Sequence, residues 1–262
     1  MALDIDRYAH VESFLSRWDP RLKILSLGIF VFCVALLDSI PVALMGFALA
    51  CGFLWLSKLP LNFVRGGIVF VLIFLIPLIF IMPLSYPGQA AFKVLGIPFA
   101  WEGLRIACII IIKAVSVVIT AYSIFGTSRF DVSMIALQHL KTPKMLVQML
   151  LFTYRYIFVF IAEMRRMDIA MRSRGFVKGF NMTTLTLMGN FVGTLLVRSF
   201  ERTERVYKAM LSKGYNGDYP TLVEFNAIPQ DFVKAILIVL VTILLVVIDI
   251  TGPFKPAMLA WF

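Results

Sequence analysis

Histidine, cysteine and acidic residues are scarce in this sequence, and each scarcity removes a class of chemistry. Of 262 residues only two are histidine and three are cysteine, and 15 Asp and Glu stand against 25 Lys and Arg. His10 and His139 have no second ligand near them in the sequence, so a transition-metal centre built by this chain lacks donors. Cys33, Cys51 and Cys108 lie inside apolar runs without CxxC spacing, which argues against a zinc ribbon or a disulfide framework and leaves them as small core residues. No Walker A pattern, nucleophile elbow, HExxH or GxGxxG in context is present. Ser173 and Ser212 sit beside cations but have no histidine or carboxylate at a useful spacing, so neither reads as a nucleophile. Catalysis, a bound cofactor and a nucleic-acid partner are not expected. The first twenty residues carry Asp4, Asp6, Arg7, Glu12, Arg17 and Asp19 and no apolar stretch, which is not the pattern of a cleavable signal peptide.

What the chain does have is apolar surface. Sixty per cent of it is hydrophobic, with mean hydropathy +0.90, more than a soluble domain of this length encloses. The sequence therefore predicts an all-α polytopic membrane protein with about five spans: 22–37, 42–56, 67–84, 101–125 and 232–250. Asp19 followed by Pro20 reads as a helix N-cap and first position, with Arg21 and Lys23 holding that end at the headgroups. Pro77 and Pro83 predict a kink or an early end in the third span. The connector 85–100, with Pro87, Gly88, Gly96 and Pro98, reads as an outside loop. Lys113 falls near the middle of the fourth span, where a charge costs ~3 kcal/mol; it either marks a site or faces a wet gap between helices.

Fourteen of the 25 cations fall between Arg129 and Lys213, which places that stretch on the cytoplasmic side together with the amino terminus, and leaves the carboxyl terminus outside. Three regions result: a membrane region 1–127, a cytoplasmic helical region 128–226, and a last span with its tail, 227–262. The middle region reads as a short helix over 129–140 and two long ones, 143–174 and 183–213, with Thr142 and Pro143 as cap and first position of the second. Each long helix begins apolar and ends basic. Gly189 and Gly193 form a small-xxx-small pair, the spacing that lets two helices cross closely.

The two long helices also end alike. Ala170-Met171-Arg172-Ser173-Arg174-Gly175-Phe176 is matched by Ala209-Met210-Leu211-Ser212-Lys213-Gly214-Tyr215. A cation in the last turn and a glycine just beyond suit a helix C-terminus. Helix capping was expected to require only the glycine and the cation, so the remaining matched positions suggest two equivalent sockets on an acidic cytoplasmic partner, itself a dimer or pseudo-dimer.

With the entry motif Trp18-Asp19-Pro20-Arg21-Leu22-Lys23 and the two basic-Gly helix ends, the chain resembles the transmembrane T component of energy-coupling-factor transporters. The amino-terminal Ile5-Asp6-Arg7-Tyr8-Ala9-His10 resembles its cobalt/nickel branch, the CbiQ type. The resemblance implies a non-catalytic subunit in the plasma membrane. Ser173, Arg174 and Gly175, and Ser212, Lys213 and Gly214, would dock on a dimer of ATP-binding-cassette ATPases, and crossed helices would pass motion to a separate substrate-binding membrane subunit. The family usually carries arginine in both motifs; Lys213 gives up the bidentate fork, so a weaker second contact is implied. Two other classes fit less well. A stand-alone secondary transporter needs polar residues converging at mid-membrane and repeated spans, and a lipid-directed enzyme needs an acid/base or metal cluster.

Overall fold

The computed structural model describes residues 11, 13–85, 90–94, 97–177, 179–217, 223, 225 and 227–251. The Ile5–His10 segment, the tail beyond Thr251 and most of the connector 218–226 lie outside the described residues. The order of elements is α1 (Pro20–Leu36), α2 (Ile40–Ser57), α3 (Leu61–Ser85), β1 (Ala90–Val94), β2 (Ile97–Ala100), α4 (Trp101–Phe125), α5 (Phe130–His139), α6 (Lys144–Ser173), α7 (Met182–Ser212) and α8 (Pro229–Thr251). Among the described residues the elements are helices apart from one antiparallel hairpin, β1–β2, in the stretch read from sequence as a loop. Among the described residues five helices are long and apolar enough to cross a membrane: α2, α3, α4, α6 and α8. At 17 residues α1, read as the first span, falls short of the ~20 that a bilayer core asks for. The apolar first half of α6 brings that helix into the set instead.

The chain forms two compact units, 5–140 with 224–262, and 141–223 with the first four residues. In the larger unit α1 begins as the sequence predicts: the Asp19 carboxylate accepts from the Arg21 backbone N–H at 2.9 Å, and Pro20 takes the first helical position. Around α1 pack α4, α5 and α8, while α2 and α3 lie against α4. Phe30, Val34, Leu37, Val42, Leu54, Val64, Ile119 and Leu245 make the core, with Phe30 and Phe53 edge to face at 5.2 Å. The short helix α5 belongs here, because Met134, Ile135 and Ala136 are buried. The third span runs unbroken through Pro77 and Pro83 to Ser85.

Two lysines of the membrane unit are accounted for by this packing. Lys23 does not reach the headgroups. Its side chain is wholly buried, and its amine donates to the Thr127 and Ser128 hydroxyls and to the Leu15 carbonyl (3.4 Å). Lys113 donates to the Ala35 carbonyl at 3.1 Å, in the last turn of α1, and lies 3.7 Å from the Asp38 carboxylate. It satisfies one of the carbonyls that the end of α1 leaves without an intrahelical partner. At the same turn Asp249 of α8 accepts from the Asp38 N–H (2.9 Å), the Ser39 N–H (3.1 Å) and the Ser39 hydroxyl. The turn that leads into α2 is thus held by another helix.

Candidate functional site

The smaller unit consists of α6 and α7. Second-helix capping differs from the sequence reading: Pro143 is the N-cap and Lys144 the first helical residue, one position later than Thr142 and Pro143 imply. Side chains link the two helices in antiparallel register. Glu163 pairs with Arg198 at 2.5 Å, and further along Tyr215 donates its hydroxyl to Gln148 Oε1 at 3.0 Å while Gln148 Nε2 donates to the Gly217 carbonyl at 2.9 Å. With the helices antiparallel, their carboxyl-terminal ends lie at opposite ends of the pair, on the order of 40 Å apart at 1.5 Å per residue.

Both ends close in the same way. Phe176 N–H donates to the Met171 carbonyl (3.1 Å) and Gly175 N–H to Arg172 (3.0 Å); Tyr215 N–H donates to Met210 (3.0 Å) and Gly214 N–H to Leu211 (3.0 Å). This is the six-to-one, five-to-two Schellman pattern, with the glycine left-handed at φ 83 and 84. The Ser173 and Ser212 hydroxyls each return to the carbonyl four residues back, Ile169 and Lys208, at 3.0 Å. Capping thus explains more of the repeat than the sequence reading allowed. The motif places the methionine and the aromatic ring at the two positions whose apolar contact accompanies it. Met171, Phe176, Met210 and Tyr215 are half-buried on an otherwise exposed surface.

The cation is what the cap does not require. Arg172 pairs with Asp168 at 2.8 Å, Lys208 with Glu204 at 2.8 Å and Arg205 with Glu201 at 3.9 Å. Arg174 and Lys213, the two capping residues themselves, are exposed and have no carboxylate partner among the described residues. Each stands where a cation faces the last carbonyls of its helix and is still free to meet an acid from outside.

Gly189 and Gly193 are not points of close approach among the described residues. A Cβ added at either would meet nothing within 4 Å, and the two line an open groove with Asn190, Thr194 and Val197. Close approach occurs instead at Gly67, Gly103 and Gly126, three glycines of the larger unit that carry no motif. At Gly103 a Cβ would stand 2.5 Å from the Met82 carbonyl, and at Gly67 it would overlap the Tyr122 ring. Among the described residues no group of three His, Cys, Asp or Glu side chains is placed to hold a metal ion.

Comparison with known proteins agrees with this architecture. An uncharacterized protein of Methanocaldococcus jannaschii is 27% identical over 252 residues, covering 93% of this chain and 86% of that one. The energy-coupling factor transporter transmembrane protein EcfT of Bacillus selenitireducens is 27% identical over 226 residues (81% of this chain, 84% of the relative), and that of Staphylococcus aureus 25% identical over 227 (82% and 85%). Residues 11–225 match the profile of the CbiQ family, described as cobalt transport proteins. With that match covering most of its length, alongside the helical membrane architecture, the chain belongs to the CbiQ family of transporter membrane components.

Proposed function

We propose that this chain is the transmembrane coupling subunit of an ATP-driven energy-coupling-factor importer for cobalt or nickel ions. In this reading it lies in the plasma membrane with its amino terminus in the cytoplasm, hydrolyses nothing itself, and joins a dimer of cytoplasmic ABC ATPases to a separate substrate-binding membrane subunit. The observation that carries the reading is the pair of capping cations, Arg174 and Lys213, without a carboxylate partner among the described residues, at opposite ends of an antiparallel helix pair. Two like sockets some tens of ångströms apart are what a two-fold ATPase dimer offers. Arg174 and Lys213 would enter its acidic grooves, with Ser173, Gly175, Ser212 and Gly214 setting the backbone that aims them. The open groove beside Gly189 and Gly193 would receive a helix of the substrate-binding subunit, which keeps the crossing role of those glycines between chains. A vitamin-type importer is the second reading, since the EcfT relatives are not named for a metal. Isolation from the native membrane tests both. ATPase subunits and one further membrane subunit should co-purify, and deletion of the chain should abolish Co²⁺ or Ni²⁺ uptake. Loss of a vitamin's uptake instead would favour the second reading, and purification of the chain without any ATPase would contradict both.

A further inference from the structure

The segment Trp18–Lys23 reaches three separate parts of the larger unit. Trp18 donates its indole N–H to the Asp231 carbonyl at the start of α8 (3.2 Å). Lys23 holds Thr127 and Ser128, the link between α4 and α5. Arg21 donates to the Phe225 carbonyl (3.4 Å), and its guanidinium lies 4.8 Å from the centre of the Phe225 ring. Phe225 in turn meets the His139 ring edge to face at 5.3 Å. His139 ends α5 two residues before the smaller unit begins, and Phe225 stands two residues after it ends. The chain leaving for the helix pair and the chain returning from it are therefore pinned to each other and to the start of α1. Just past this point Lys141 takes φ 69, a left-handed bend rare for a residue with a side chain.

From this geometry we infer that Arg21, Phe225 and His139, backed by Lys23, form a clasp at which displacement of the α6–α7 pair is delivered to α1, α4 and α8 together. The clasp ties the chain leaving for the pair to the chain returning from it. Arginine is required because Asp19 fixes the guanidinium through Nε (3.3 Å) and an NH2 nitrogen (3.0 Å) while its face remains for the ring. A lysine has neither the fork nor the plane. Arg21, Phe225 and His139 are positioning residues, and the inference rests on the coupling role proposed above.

The test has two arms, both on the full-length chain. In the first, the chain is placed in lipid nanodiscs and amide exchange is followed at Leu140, whose N–H closes α5 on Ala136. Phe225→Ala should speed that exchange about tenfold, and Phe225→Tyr should restore it. In the second, the complex isolated from its membrane is assayed for retained ATPase subunits, ATP hydrolysis and uptake of radioactive Co²⁺ after reconstitution. Phe225→Ala should keep the ATPases and their hydrolysis while Co²⁺ taken up per ATP falls about tenfold, with Phe225→Tyr again near wild type. Arg21→Lys should resemble Phe225→Ala. Unchanged exchange at Leu140 in Phe225→Ala overturns the clasp, and so does unchanged uptake per ATP. A wild-type chain that retains no ATPase overturns the coupling role instead, leaving the exchange arm to decide whether the clasp exists.

Discussion

At the end of α7, Tyr215 closes the cap and also ties it to α6 through Gln148; at the end of α6, Phe176 closes the same cap and has no hydroxyl with which to do so. The braced end carries lysine and the unbraced end carries arginine. The closing backbone hydrogen bonds and the serine bond are otherwise alike to within 0.1 Å, and the glycine φ to within one degree. The difference suggests two ways of presenting a cation at a fixed place. A planar fork can find two acceptors from a loosely held end, whereas a point charge on a flexible stem needs its end held still.

The largest effect should come from removing the cations one at a time. Loss of one partner of a buried interfacial charge pair costs ~2 to 5 kcal/mol, and loss of an exposed pair under about 1. Arg174→Ala should therefore weaken ATPase retention more than Lys213→Ala, read as the detergent and salt at which the complex separates. Equal losses would erase the proposed asymmetry.

Next in size are the capping glycines. At φ 83 and 84 an alanine is strained by about 1 to 2 kcal/mol, so Gly175→Ala and Gly214→Ala should each fray the last turn of one helix by a similar amount. Amide exchange at Phe176 and Tyr215 reports it, and it should rise at one end only in each variant.

Smaller again is Tyr215→Phe, which gives the second end the ring of the first. Loss of the bond to Gln148 should cost ~1 kcal/mol, raise exchange at Gly217 and nearby amides, and leave Phe176 untouched. The smallest change is Lys213→Arg. It should leave thermal unfolding of the chain within ~0.5 kcal/mol and, by restoring the fork, hold the ATPases at higher salt.

Much of this fold is written locally. The Asp19–Pro20 start of α1, the glycine stops at 175 and 214, and the bounds of α4 follow from capping rules and apolar runs, and the structure agrees. What sequence could not place are the partners brought together from afar. Lys23 looks like a headgroup anchor until Thr127 and Ser128, over 100 residues later, are seen around it. Asp249 against the turn before α2, and Phe225 under Arg21, are likewise pairings that periodicity cannot signal. The glycines show the same limit. Gly189 and Gly193 carry the recognisable spacing yet have open space, while Gly103, with no motif, is pressed against Met82. Thermal unfolding in detergent should separate them: Gly103→Ala should lose ~1 to 3 kcal/mol, and Gly189→Ala should lose nothing or gain up to ~1.

The central claim is that the two capping cations hold the ATPases, and the most direct measurement is the amount of ATPase that co-purifies with the Arg174→Ala/Lys213→Ala chain, read beside Co²⁺ uptake. The account predicts a chain inserted and folded as in the wild type, with both the ATPases and uptake lost. Wild-type amounts of both would mean that the matched helix ends are caps and nothing more.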